Sequence, residues 1–158
     1  MVIRYATRED AVAFAEVVAE VAEEGWVATE PPVDVDAFAA RIRTMLTEGS
    51  TFFVLDDGRR IVGTLGLHPT HADGVVVLGM SLLAEVRGRG WGRAMLQAAV
   101  DHARGARMHK IELEVWPDNE RAIALYERFG FEVEGVRRDH YRRSDGSLRS
   151  AVLMALLL

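Results

Sequence analysis

A glycine-spaced run, Arg87-Gly88-Arg89-Gly90-Trp91-Gly92, separates an apolar stretch, Val75 to Leu83, from a helical pattern. This junction constrains the fold more than any other segment, because it asks for a strand, a tight turn and a helix in immediate succession. Glycine admits positive φ and lets a ligand approach the backbone without meeting a Cβ, and the following helix adds its positive amino end. The segment therefore reads as an anion cradle, with a phosphate or pyrophosphate as its natural occupant. Two better-known loops are excluded by the spacing. A dinucleotide fingerprint starting at Gly88 would need glycine at Arg93, and no Gly-Lys-Ser/Thr follows. The glycines alone also fit an ordinary turn, so the flanking sequence has to decide.

A second block, Leu113-Glu114-Val115-Trp116-Pro117-Asp118-Asn119, continues through Ala122-Ile123-Ala124-Leu125-Tyr126-Glu127 to Gly130-Phe131. Together with Arg87, Gly90 and Gly92, and with the opening Ile3-Arg4-Tyr5-Ala6-Thr7-Arg8-Glu9-Asp10, it resembles the GCN5-related N-acetyltransferase (GNAT) superfamily over essentially the whole chain. The resemblance implies an α/β (α+β) fold, a single N-acetyltransferase domain over residues 1–158. Its central, mostly antiparallel mixed sheet would have about seven strands, flanked by about four helices and splayed at an acetyl-coenzyme A cleft.

Composition narrows the chemistry. The 158 residues, 49% of them apolar, supply one full hydrophobic core. The absence of cysteine excludes a disulfide framework, a thiolate metal site and a cysteine-linked acyl intermediate. No apolar run approaches the roughly 20 residues needed to span a bilayer, and no secretory segment precedes Ile3, so a soluble cytoplasmic protein without a membrane partner is expected. The net charge of -5 argues against nucleic acid as a partner. Even so, Arg87, Arg89, Arg93, Arg104, Arg107 and Lys110 gather around the cradle, where they could pair with phosphates, although Arg104 and Arg107 fit a solvated helix face better. His68, His71 and Asp73 suggest a metal only weakly and read as a solvated turn between strands, so no metal is expected.

Periodicity places the motifs. Ile3 to Tyr5 reads as a short strand, and Thr7 or Asp10 can cap a helix running to about Glu24. Gly25 to Val33 is an irregular loop, followed by a helix from about Asp34 to Glu48. Thr51 to Leu55 and Ile61 to Leu67 form a hairpin around Asp56-Asp57-Gly58, and Val75 to Leu83 extends the sheet. A helix after the glycine loop ends near Gly105, Lys110 to Trp116 is a strand, and Asn119 to Phe129 is a short helix. Val133 to Tyr141 and Leu148 to Leu157 close the chain as a hairpin.

The family likeness then assigns roles. Acetyl-coenzyme A is the implied co-substrate, its pyrophosphate held by Arg87 and the backbone of Gly88, Arg89, Gly90, Trp91, Gly92 and Arg93, and its other contacts including Asn119 and Ala122. Met80, Ser81, Leu82 and Leu83 would grip pantetheine and the thioester carbonyl with backbone groups, as an oxyanion hole does. Tyr126 matches the tyrosine that protonates the coenzyme A sulfur, a role that a phenol of pKa about 10 can fill. Asn119 and Tyr126 lie on one helix face, about 10 Å apart along the axis. Glu114 matches the glutamate that deprotonates the acceptor amine through water, and Glu112 shares its strand face, where mutual repulsion could raise one pKa. An arginine-paired or wet strand face is the alternative for these two carboxylates.

For the acceptor, the loop after the first helix nominates Trp26, Thr29, Glu30 and Pro31, with Glu112 on the central strand and Tyr141 from the last hairpin opposite. The expected reaction is direct acetyl transfer to a primary amine of a small molecule or amino acid. The alternatives are a protein or peptide amino terminus or lysine, and a non-catalytic acyl-coenzyme A binding module. Strand-edged domains of this kind often dimerise, so a homodimer is a further expectation.

Overall fold

The computed structural model describes residues 1–158. Along the chain run β1 (Val2–Tyr5), a 3-10 turn (Arg8–Asp10), α1 (Ala11–Glu23), α2 (Val35–Thr47), β2 (Thr51–Asp56), β3 (Ile61–Pro69) and β4 (Val75–Leu82). After a second 3-10 turn (Ala84–Val86) follow α3 (Trp91–Gly105), β5 (Lys110–Val115), α4 (Glu120–Phe129), β6 (Glu132–Arg142) and β7 (Leu148–Leu157). The seven strands form one sheet in the order β1-β2-β3-β4-β5-β7-β6. Every neighbouring pair is antiparallel except β4 and β5.

Local chemistry fixes the helix starts. Asp34 Oδ1 accepts from the Ala37 amide at 2.9 Å, Asn119 Oδ1 accepts from the Ala122 amide at 3.3 Å, and the Thr7 amide donates to Asp10 at 2.7 Å. Gly130, at φ 118°, closes α4 in the left-handed conformation that glycine adopts without strain.

Strand alternation divides the sheet into two covered faces. On one, a Cβ at Gly63 would lie 2.5 Å from Leu82 and 3.4 Å from the Met95 sulfur, so this face carries α3. On the other, Phe52 stands opposite Gly66 and packs edge-on against Phe14 of α1, ring centroids 5.2 Å apart. Residues 64, 66 and 68 therefore face α1 and α2, and His68 belongs to β3 instead of the turn the sequence suggested.

The parallel contact sets up the site. β4 pairs with β5 over three positions only, Val75–Val77 against Lys110–Glu112. Beyond them Leu78–Leu82 keep β3 as their partner and Leu113–Val115 keep β7, so the two strands part like the arms of a fork. No helix is long and apolar enough to cross a membrane.

Candidate functional site

A cavity of about 820 Å³ occupies the fork. It brings together most of the residues singled out from the sequence. Met80, Ser81 and Leu82 border it from β4, Gly88, Gly90, Gly92 and Arg93 from the glycine loop and α3, and Glu114 from β5. Asn119, Ala122 and Tyr126 border it from α4, Trp26 and Thr29 from the loop after α1, and Tyr141 from β6.

The cradle forms as its glycines require. Gly88 and Gly90 have φ of 72° and 85°, and open space lies where a Cβ would stand. Backbone N–H groups there can meet an anion that no side chain obstructs. Gly92 has a different reason to be glycine. A Cβ there would lie 2.9 Å from Leu125 Cδ2, so its bareness seats α3 against α4. The Arg89 side chain is exposed and Trp91 is half buried against the core; neither lines the cavity, so only their backbone belongs to the cradle.

Arg87 is not free for a phosphate. Its Nε donates to the Leu82 carbonyl at 2.7 Å and its terminal nitrogens hold the Glu24 carboxylate at 2.6 and 2.7 Å. The guanidinium holds the Glu24 carboxyl below its usual pKa. At the cradle end the cations left for an anion are Arg93, whose guanidinium lies 5.4 Å from the Phe129 ring centroid, with Arg121 and Arg128 on α4; all three line the cavity and none forms an ion pair. Arg121 and Arg128 were not anticipated, although their seven-residue spacing already placed them on one helix face. Leu83 leaves the site too. It is 1% exposed, its amide donates to Val62 at 3.0 Å, and its side chain belongs to the core.

The chemistry-bearing side chains sit deeper in the fork. Tyr126 is buried against Phe131, and burial pushes its phenol up to about 12. Glu114 accepts a hydrogen bond from the Tyr141 hydroxyl and pairs with Arg137 at 3.0 Å. Burial, and then the Glu114 carboxylate, raise Tyr141 to about 12, so it stays a donor. Glu112 lies outside the cavity and pairs with Lys110 at 2.9 Å, contrary to its expected place among acceptor contacts. The mutual repulsion expected of the two glutamates gives way to a separate cation for each. Trp116 also lines the cavity, stacked edge-on to Tyr141 at 5.3 Å and beneath Arg149 at 4.2 Å, with its indole N–H buried and unpartnered.

The loop after α1 is clasped by the β6–β7 turn. Glu30 accepts from the Ser144 amide at 3.1 Å and hydroxyl at 2.7 Å, Arg143 donates to the Ala28 carbonyl at 2.8 Å, and Arg149 donates to the Gly25 carbonyl at 3.1 Å. Glu30 and the exposed Pro31 thus lie outside the cavity, the first occupied as a fastener, while Trp26 and Thr29 remain on its wall.

Comparison with known proteins identifies the family and the fold. The family described as "Acetyltransferase (GNAT) family" matches residues 15–131. The chain is 34% identical over 145 residues to the N-alpha-acetyltransferase RimI of Mycobacterium tuberculosis, spanning 87% of this chain and 82% of that one. It is 40% identical over 68 residues to the [Ribosomal protein bS18]-alanine N-acetyltransferase of Escherichia coli K12, a match that spans 43% of this chain and 45% of the relative. Among solved structures, the ribosomal-protein-alanine N-acetyltransferase from Brucella melitensis superposes with a TM-score of 0.89 at 22% identity, covering 100% of both chains. A phosphinothricin acetyltransferase from Sinorhizobium meliloti in complex with AcCoA gives 0.85 at 22% identity, covering 99% of this chain and 88% of that one. At such identities these two establish the fold alone.

Proposed function

Because the chain belongs to the acetyltransferase (GNAT) family, and is with it an N-acetyltransferase that uses acetyl-coenzyme A, we propose that its acceptor is the α-amino group of a protein or peptide. The observation that carries this choice is the 34% identity shared with an N-alpha-acetyltransferase over 87% of the chain. It displaces the small amine or amino acid expected from the sequence.

The donor fits the residues present. The open backbone at Gly88 and Gly90, with Arg93, Arg121 and Arg128 free of carboxylates, suits a pyrophosphate. The inner edge of β4 beyond Val77, which lacks a strand partner, suits an extended pantetheine arm. Acetyl-coenzyme A supplies the activated acyl group as a thioester, and the chain's own residues supply positioning and proton transfer.

Glu114 is the base. It is the single carboxylate on the cavity lining, and Tyr141 and Arg137 hold it in place, so it receives a proton from the acceptor ammonium through a water molecule. Tyr126 is the acid. Its buried phenol remains protonated far above neutral pH and gives that proton to the departing sulfur. Backbone N–H groups at Met80 to Leu82 stabilise charge growing on the carbonyl oxygen.

The test is a panel of peptides with free or blocked amino termini, lysine-bearing peptides and free amines, each incubated with acetyl-coenzyme A. Thiol release is followed and the modified nitrogen is located by mass spectrometry. Acetylation of free amino termini, abolished by blocking them, is expected. Turnover of free amines or lysine side chains alone would overturn the assignment.

A further inference from the structure

One end of the cavity lies well away from the glycine cradle. β4 enters the fork at Val77 and reaches the cradle after Leu82, five residues on, so the two ends lie about 16 Å apart at the usual strand rise. Arg93, Arg121 and Arg128 belong to the glycine loop's helix and α4. Arg41 belongs to α2, on the face where β3 and β4 meet α1 and α2, and it lines the same cavity without an ion pair or hydrogen bond.

The sheet beneath is polar where apolar side chains would be expected. Thr64 and Ser81 are cross-strand partners, 1% and 7% exposed, and neither hydroxyl has a hydrogen-bond partner in the protein, yet both residues line the cavity. Both hydroxyls open onto the cavity, where they can hydrogen-bond to whatever occupies it. Next along the strands come Gly66 and Gly79, also paired. The space above Gly79 is open, while a Cβ on Gly66 would lie 2.7 Å from His68 Nε2, so the imidazole folds back over that glycine. Its Nδ1 is taken by Ser50 Oγ at 3.1 Å, leaving Nε2 for the cavity. Burial and the Arg41 charge both lower the His68 pKa, which places Arg41 within electrostatic reach and keeps the ring neutral. No carboxylate lines this end.

We propose that Arg41 and His68 form an acceptor subsite for a carboxylate, reached across Thr64 and Ser81, so that the preferred acceptor is a peptide with an acidic side chain at its second or third residue. This deepens, and rests on, the reading of the acceptor as a peptide amino terminus. The reach agrees. From Ser81 to Val77 is about 13 Å along β4, and a peptide extended at about 3.3 Å per residue brings a glutamate side chain of its second or third residue across that span. Arg41 supplies the charge and the imidazole a hydrogen bond at the far end, while the Thr64 and Ser81 hydroxyls can meet the peptide on its way there.

Matched peptides with Glu, Gln or Lys at position two or three, all beginning with alanine, test the subsite against wild-type enzyme, Arg41→Gln and Arg41→Glu. Arg41 is exposed on α2, so these variants retain the fold. In the wild type, kcat/KM is expected to favour Glu over Gln by about tenfold, mainly through KM. The preference collapses in Arg41→Gln and turns toward Lys in Arg41→Glu. Equal use of Glu and Gln peptides by the wild type, or an unchanged preference in both variants, would overturn the subsite while leaving peptide acetylation standing. If no peptide is acetylated but free amino acids are, the peptide reading fails. Glutamate against glutamine then decides the subsite by the same criterion.

Discussion

Arg87 grips Glu24 with both terminal nitrogens while its Nε holds the Leu82 carbonyl, so one side chain ties the end of β4 to the end of α1. A residue that looked like a phosphate ligand is a brace for the cavity wall. Lysine cannot serve three acceptors in this planar arrangement, so Arg87→Lys should cost about 1–2 kcal/mol of stability. Glu24→Gln added to it should cost little more. A double-mutant cycle in denaturant measures the coupling, and strictly additive losses would show that the two side chains do not act as a unit.

The two glycines of the loop should fail differently. Gly90→Val places a side chain over the cradle in a left-handed backbone, costing about 1–2 kcal/mol of stability and weakening coenzyme A at least about tenfold. Gly92→Val drives its side chain into Leu125, so its loss should appear chiefly in thermal unfolding. Calorimetry with coenzyme A on folded protein separates the two. Unchanged affinity in Gly90→Val would remove the loop from the donor site.

For Tyr126→Phe, the ring and its packing on Phe131 persist while the proton is lost. A fall in kcat of about 100-fold or more is expected, with acetyl-coenzyme A affinity nearly constant. Normal turnover under conditions where thiolate departure limits the rate would reduce Tyr126 to a packing residue.

Glu114→Gln keeps shape and removes basicity. Its kcat/KM should fall at pH 7 and recover in part as rising pH deprotonates the free amine, since less work is then left for a base. Tyr141→Phe removes a donor to that carboxylate and should shift the same profile without abolishing activity. Superimposable profiles for wild type and Glu114→Gln would assign the proton to solvent.

Acid stability should report on a pair far from the fork. The Arg4 guanidinium, 2.8 Å away, holds Asp10 down at about 2, against an ordinary carboxylate near 4. A depressed folded-state pKa gives stability that is complete above about pH 4 and is lost as pH falls toward 2, here about 1–2 kcal/mol. Denaturant unfolding between pH 5 and 2, both bounds about the pKa range concerned, should be flatter for Asp10→Asn.

The parts of this architecture that could be read from the chain are those decided locally. Gly88 and Gly90 announce a turn by composition, and Asn119 caps the helix that carries Tyr126. What could not be read depends on distant partners. Arg87 finds Glu24 63 residues away, Glu30 finds Ser144 114 residues away, and Gly92 is shaped by Leu125 of another helix. Thr64 and Ser81 become a pair only through strand register, which neither local propensity nor motif spacing contains.

The three-residue contact between β4 and β5 has a mechanical consequence. It makes the molecule two plates, β1 to β4 and β5 to β7, joined by a few rungs of ladder. A donor lying in the gap, as proposed above, would stand in for the missing length of strand and tie the two plates together, so that occupancy would stiffen the sheet.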